Sequence, residues 1–160
     1  MSATSINKKL EQIVNFYLID ENIATSGQPM TEQFKAISAN GFEVVFNLAL
    51  SDSPNAIEDE NKIIKNLNMI YVHIPVDFKA PGLEDLELFF KRMEKHNNKK
   101  IFIHCVKNWR VSAFMFLYHT IKCHMPIVDA RKYLDAVWQP DPVWQDFIDY
   151  ILNTYGINPD

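Results

Sequence analysis

At 160 residues with 48% apolar side chains, the chain holds enough hydrophobic material for one self-supporting domain and lacks the composition of a disordered protein. A formal net charge of −4, from 16 Lys and Arg against 20 Asp and Glu, offers no basic face to replace counterions, which argues against nucleic acid as a partner. Two cysteines, Cys105 and Cys123, cannot build a disulfide framework and point to a reducing compartment. The start MSATSINKKLEQ has no apolar leader and no later run is long enough to span a bilayer, so a soluble, cytoplasmic protein without a membrane partner is expected.

The first predicted element is a helix over 5–18, capped by Ser5, with Ile6, Leu10, Ile13, Val14 and Leu18 on one face. Ile23, Ala24 and Thr25 read as a brief strand that runs into the turn formers Ser26, Gly27, Gln28 and Pro29. A helix with Phe34 and Ile37 inward follows and closes on Asn40 and Gly41. Val44 to Leu50 has the apolar run of a central parallel strand. Ser53 and Pro54 are expected to open the next helix, with Ile57, Ile64 and Leu67 buried and Glu58, Asp59 and Glu60 on a solvated face. Met69 to Val76 is the third strand and leads into a loop over 77–82.

Leu83, Leu86, Phe90 and Met93 form the inward stripe of a helix that returns the chain to a strand at Ile101, Phe102 and Ile103. That strand stops at His104 and Cys105. Ser112, Ala113, Phe114, Leu117 and Ile121 then take up a 3.6-residue spacing, which predicts a helix from about Val111, with Cys123 as a small core residue within it. Pro126 and the pair Asp141-Pro142 start two further helices of structural character, and Trp138, Trp144, Pro140 and Pro142 read as a packed corner. Strands alternating with helices imply right-handed crossovers. The expected fold is therefore α/β, a central, mostly parallel four- to five-stranded sheet flanked by helices on both faces. It forms a single domain over 1–160, with an N-terminal helix at 5–18, a core at 20–125 and C-terminal helices at 126–156.

The chemistry concentrates at the strand-loop-helix KKIFIHCVKNWRVSAFM. Such a connection aims backbone N–H groups and the positive helix end at one spot, a ready site for a tetrahedral anion. A thiol there is driven toward thiolate, so Cys105 is a candidate nucleophile, Arg110 a two-pronged ligand for phosphoryl oxygens, and His104 a residue that orients the loop. The plainer reading is a buried cysteine beside a surface arginine, which explains neither the histidine nor the abrupt break. In parallel sheets the ligand crevice lies beyond the carboxyl ends of the strands, where Gly27, Asp77 and Cys105 all fall. A leaving alkoxide or phenoxide needs a proton, and Asp77, past a strand end and before a Pro-Gly loop, is the best-placed acid. The competing role for Asp77 is a turn cap, and Asp52, Glu84 and Asp85 are alternative acids. Histidines 73, 96, 104, 119 and 124 show no ligand spacing, so neither a metal nor a cofactor is expected.

The segment HCVKNWRVS resembles the signature loop of cysteine-dependent protein phosphatases, in particular the dual-specificity phosphatase fold, and YVHIPVDF resembles that family's general-acid segment. With SGQP at 26–29 and GFEVVFNL at 41–48, the chain is similar over about 20–150 to a small bacterial branch of phosphatase-like proteins, one also found fused to metallo-β-lactamase-like hydrolases. The resemblance implies Cys105 as nucleophile forming a phosphocysteine, Arg110 as phosphate clamp and Asp77 as general acid and then base. It also implies a cradle of N–H groups from Val106, Lys107, Asn108, Trp109 and Arg110, with Ser112 supporting the leaving thiolate. The common pattern has five residues between cysteine and arginine; this chain has four, and Val111 stands where the arginine would fall. Either the loop is one residue shorter and Arg110 still points into the cradle, or Ser112 fixes the register and Arg110 points outward. The shorter loop is the preferred reading.

The leading expectation is metal-free hydrolysis of a phosphate monoester on a phosphorylated small molecule or phosphoprotein. Two alternatives use the same loop: sulfur transfer through a Cys105 persulfide, as in rhodanese-like domains whose short loop also has four residues, and a catalytically weak module that binds anions or phosphoproteins.

Overall fold

The computed structural model describes residues 8–158. Five strands, β1 (Tyr17–Leu18), β2 (Ile23–Ser26), β3 (Val44–Asn47), β4 (Ile70–His73) and β5 (Ile101–His104), form one sheet in the order β1-β2-β5-β3-β4. β2, β5, β3 and β4 run parallel, and β1 joins the edge antiparallel to β2. The α/β fold with a mostly parallel five-stranded sheet is thus the expected one. The helices are α1 (Thr31–Ala39), α2 (Glu60–Asn66), α3 (Leu83–Lys95), α4 (Trp109–Ile121), α5 (Ile127–Val137) and α6 (Pro142–Thr154).

Alternation along the strands divides the core in two. Val44 and Phe46 of β3 face one cluster with α3, α4, α5 and α6, whereas Val45 faces the other with Phe34 and Ile37 of α1 and Ile64 of α2. Both faces of the sheet are therefore covered, as apolar parallel strands require. α4 is apolar on every side and buried nearly throughout, so it lies at the centre of its layer with α5 and α6 packed against it.

Several boundaries differ from the sequence-based expectation. In place of a helix over 5–18, the described residues are helical only at 8–11, Asn15 turns the chain at φ 49°, and Tyr17 and Leu18 enter the sheet. Leu10 and Ile13 are still buried, but Val14 and Leu18 are exposed, and Ser5 and Ile6 lie outside the described residues. The helix expected at Ser53 begins instead at Glu60, because 51–59 is spent in turns that end with Asp59 in the left-handed region at φ 62°. β3 and β4 are shorter than their apolar runs. Beyond them the chain continues as loops tied by single backbone bonds, Leu48 N–H to His104, Ile74 N–H to Asn47 and Val76 N–H to Leu48. Cys123 is not a core residue; it lies beyond the end of α4 and is exposed. Trp144 is wholly buried, as a packed corner demands.

Candidate active site

His104 and Cys105 are consecutive, so their side chains leave the sheet in opposite directions. Ile101, Ile103 and Cys105 join the α3–α6 core, while the His104 ring lies 5.9 Å from that of Phe34 in α1. Cys105 follows directly on β5, and four residues later α4 is already under way, two residues earlier than the apolar spacing predicts. The turn is made by Asn108 at φ 68°, a left-handed conformation that asparagine tolerates better than most residues.

The loop is held from outside by groups on three segments. Gln28 N–H donates to the Val106 carbonyl at 2.9 Å, and Asn15 Nδ2 donates to that of Lys107 at 2.9 Å. Gly27 lets the two strands of this contact approach: a Cβ there would stand 2.4 Å from the Val106 oxygen and 2.7 Å from Val14 Cγ1, which no side chain can accommodate. Asn108 Nδ2 donates to Asn15 O at 2.9 Å and to Thr25 Oγ1 at 3.0 Å. The Tyr133 hydroxyl lies 2.6 Å from Asn108 Oδ1 and 2.8 Å from Thr25 Oγ1. Burial pushes the Tyr133 phenol well above its ordinary pKa, which keeps it a neutral donor in this network. Two loop carbonyls, those of Val106 and Lys107, are thus occupied by donors from outside the loop.

Cys105 and Arg110 line one cavity of about 210 Å³, together with Val106 and Lys107 from the loop and with Pro54, Phe78 and Trp109 as walls. The cysteine is 1% exposed, the arginine 6%. Arg110 Nη1 donates to the Val76 carbonyl at 2.8 Å, and its guanidinium lies 5.7 Å from the Phe78 ring centroid. No ion pair among the described residues involves it. Lys107 is exposed, its Nζ 5.0 Å from the Trp109 ring. Ser112 is buried, with its hydroxyl donating to Trp109 O at 3.0 Å.

Asp77 stands on the rim and is exposed. Its Oδ1 accepts the Lys79 N–H at 2.9 Å, and the residue is not among those lining the cavity. Its neighbours are firmly placed: Val76 holds Arg110, and Phe78 forms a wall whose carbonyl accepts Trp144 Nε1 at 2.8 Å. Phe78 packs against Trp109, Trp138 and Trp144, and Trp109 and Trp138 stack in parallel with ring centroids 4.8 Å apart. The packed corner is therefore continuous with the cavity wall. Asp52 and Glu84 are exposed, and Asp85, whose pKa is raised by burial, is half-buried; none of them lines the cavity.

The chief residue that sequence reasoning missed is Glu60. It is 5% exposed rather than part of a solvated face, because it lies under the sheet's carboxyl edge: His104 Nε2 is 2.8 Å from Oε2, and Gln28 Nε2 donates to Oε1 at 2.9 Å. Burial alone would raise its pKa, but the charge and hydrogen bond of His104, with hydrogen bonds from Gln28 and Tyr71, outweigh that and hold it below the ordinary value. Nothing in a charged run such as EDE marks one member as buried. Gln28 lay within the SGQP segment, but Asn15, Thr25, Tyr71 and Tyr133 gave no hint. A larger cleft of about 630 Å³ lies beside this network, between Asn47, Tyr71 and His73 and the 50–61 segment, but contains neither Cys105 nor Arg110. Among the described residues no group of three or more His, Cys, Asp or Glu is arranged to hold a metal ion, and no helix is long and apolar enough to cross a membrane.

A parallel sheet with a cysteine-bearing loop between its central strand and a buried helix, and an arginine at the start of that helix, is the architecture of the dual-specificity phosphatase class of α/β proteins. Residues 12–135 match the family model of the DSP-PTPase phosphatase fused to NAD+ kinase, and the chain belongs to that phosphatase family. Among solved structures, a candidate phosphatase of the DUF442 group from Shewanella putrefaciens CN-32 is 32% identical with a TM-score of 0.84, the match covering 92% of this chain and 97% of that one. Tk-PTP in its active form superposes with a TM-score of 0.69 at 19% identity, over 88% of this chain and 95% of its own. PTPMT1, solved in complex with PI(5)P, does so at 0.72 and 10% identity, over 89% and 97%. The latter two show likeness of fold. Among curated protein sequences none matches this chain significantly.

Proposed function

We propose that the protein hydrolyses phosphate monoesters, on a phosphorylated small molecule or a phosphoprotein, through a phosphocysteine at Cys105. The observation that carries this reading is Arg110. A guanidinium removed from water with no carboxylate partner is unfavourable unless an anion completes it, and Arg110 shares its cavity with a cysteine at a helix N-terminus. The four-residue spacing is compatible with this, since α4 begins early enough for Arg110 to reach inward.

In the first step the Cys105 thiolate attacks phosphorus while the ester oxygen departs with a proton from Asp77. In the second, water attacks the phosphocysteine with Asp77 as base, releasing inorganic phosphate and restoring the thiolate. Backbone N–H groups of residues 106–110 and the Arg110 fork take the equatorial oxygens, where negative charge must be matched in both transition states. Asp77 is supported by its place between Val76, which positions Arg110, and Phe78, which walls the cavity. Its carboxylate would turn from the Lys79 N–H toward a bound ester. Ser112, buried one turn into α4, is suited to donate to the departing thiolate.

Turnover of an aryl phosphate by the purified chain, inhibited by vanadate and abolished in Cys105→Ser, tests the reading. Retention of phosphate without turnover would instead indicate a binding module, and added sulfur on Cys105 after thiosulfate treatment would indicate sulfur transfer.

A further inference from the structure

Cys105 has a buried histidine behind it. The His104 ring meets an oxygen at each nitrogen: Nε2 is 2.8 Å from Glu60 Oε2, and Nδ1 is 3.2 Å from the carbonyl of Cys105. A peptide carbonyl can only accept. So can an ionised carboxylate, and Glu60 has the surroundings of one, since Gln28 and Tyr71 also donate to it and its pKa lies below the ordinary value. Two acceptors at the two ring nitrogens are both satisfied only if each nitrogen carries a proton.

We propose that Glu60 is a positioning residue which holds His104 as an imidazolium against the peptide of Cys105, adding a fixed buried positive charge to the helix end and Arg110 in stabilising the thiolate. The inference rests on the reading of Cys105 as the nucleophile. His104 and Glu60 are 0% and 5% exposed, and no Lys or Arg pairs with Glu60 among the described residues, so His104 is its cationic counterpart. On its other side Glu60 lines the larger cleft with Glu58, Asp59, Lys65 and His73, and none of these forms an ion pair with it among the described residues. Gln28 comes from the β2 side, the Phe34 ring from α1, and Tyr71 from β4. Tyr71 accepts from Asn47 Nδ2 at 3.1 Å and is kept a neutral donor, its pKa raised by burial and by Glu60 itself. A carboxylate in this place reaches Cys105 through the histidine and does not line the cavity of Cys105 and Arg110.

Two measurements test this on the full chain. In ¹⁵N-labelled wild-type protein at pH 7, both ring nitrogens of His104 should show protonated shifts; one bare nitrogen would overturn the proposal without any variant being made. In a Cys123→Ser background, iodoacetamide alkylation of Cys105 is followed against pH. Glu60→Gln keeps the size and polarity of the side chain but removes the charge that retains the imidazolium. It should move the alkylation midpoint up by about one pH unit, with about tenfold slower alkylation below the midpoint. A purely structural Glu60 would lower melting temperature and leave the midpoint in place, which also overturns the proposal. If wild-type Cys105 is acidic yet unmoved in Glu60→Gln, only this inference falls; if wild-type Cys105 alkylates like an ordinary thiol, the phosphatase reading falls with it.

Discussion

Two buried basic side chains flank Cys105, one on each face of the sheet, and they are satisfied in opposite ways. His104, on the α1 and α2 side, has Glu60 at 2.8 Å, with Gln28 completing the carboxylate. Arg110, on the α3–α6 side, has a backbone carbonyl, an aromatic face and a cavity, but no counter-ion among the described residues. A folded chain that needed only to bury a guanidinium would give it what it gave the histidine. The contrast separates a side chain whose partners the fold supplies from one left facing a cavity, the arrangement that the proposed phosphate site requires.

The contrast can be broken at several points. Cys105→Ser removes the group that both cations serve, and aryl phosphate turnover should fall by about 10⁴-fold or more, measured with stoichiometric controls against trace contamination. Arg110→Met should lower kcat/KM by about 10³-fold yet leave the melting temperature unchanged or higher, since no partner charge is abandoned. Glu60→Ala should do the reverse to stability, costing about 3 kcal/mol in chemical denaturation, because it strands a buried histidine. Equal destabilisation by the two substitutions would erase the distinction. Asp77→Asn should slow an aryl ester by about 10²-fold and flatten the basic limb of the pH–rate profile, with little change in stability given its exposure. Gly27→Ala forces the Val106 carbonyl away from its present place; a loop displaced by a fraction of an ångström should reduce kcat by about tenfold and cost about 1 to 3 kcal/mol.

The smallest effect is on acid stability. Glu60 titrates below its ordinary value of 4.5 in the folded chain, so its contribution is complete above about that pH and is lost as pH falls through the lower folded-state value. His96 and His119, held below their ordinary value by burial, destabilise the fold as pH falls from nearer neutrality, in wild type and variant alike. The carboxylate's own contribution should therefore separate the wild-type and Glu60→Gln curves on the far acid side, as a shallower decline there in the variant.

The layers of the fold were legible because β2 to β5 and most helices carry a readable apolar period, as in Val44 to Phe46 or Leu83 to Met93, and burial enforces it. The strand-loop-helix that brings Cys105 and Arg110 to one cavity was legible too, since the apolar run breaks off at His104 and resumes with a helical period. The N-terminal segment misled because Leu10 and Ile13 satisfy a helical stripe that the left-handed Asn15 then interrupts. Glu60 was hidden for a different reason: its burial depends on His104, 44 residues away, and on Gln28, 32 residues away, and no local pattern records such a pairing.

The immersion of α4 has a consequence for ionic strength. Side chains wrap α4 along its length and mobile ions reach its first turn only through the cavity, so the field there is screened less than that of a helix on the surface. Oxyanion affinity should then change little between dilute buffer and molar sodium chloride, apart from the share that exposed Lys107 contributes, and a steep decline would mean that the attraction originates outside the cup.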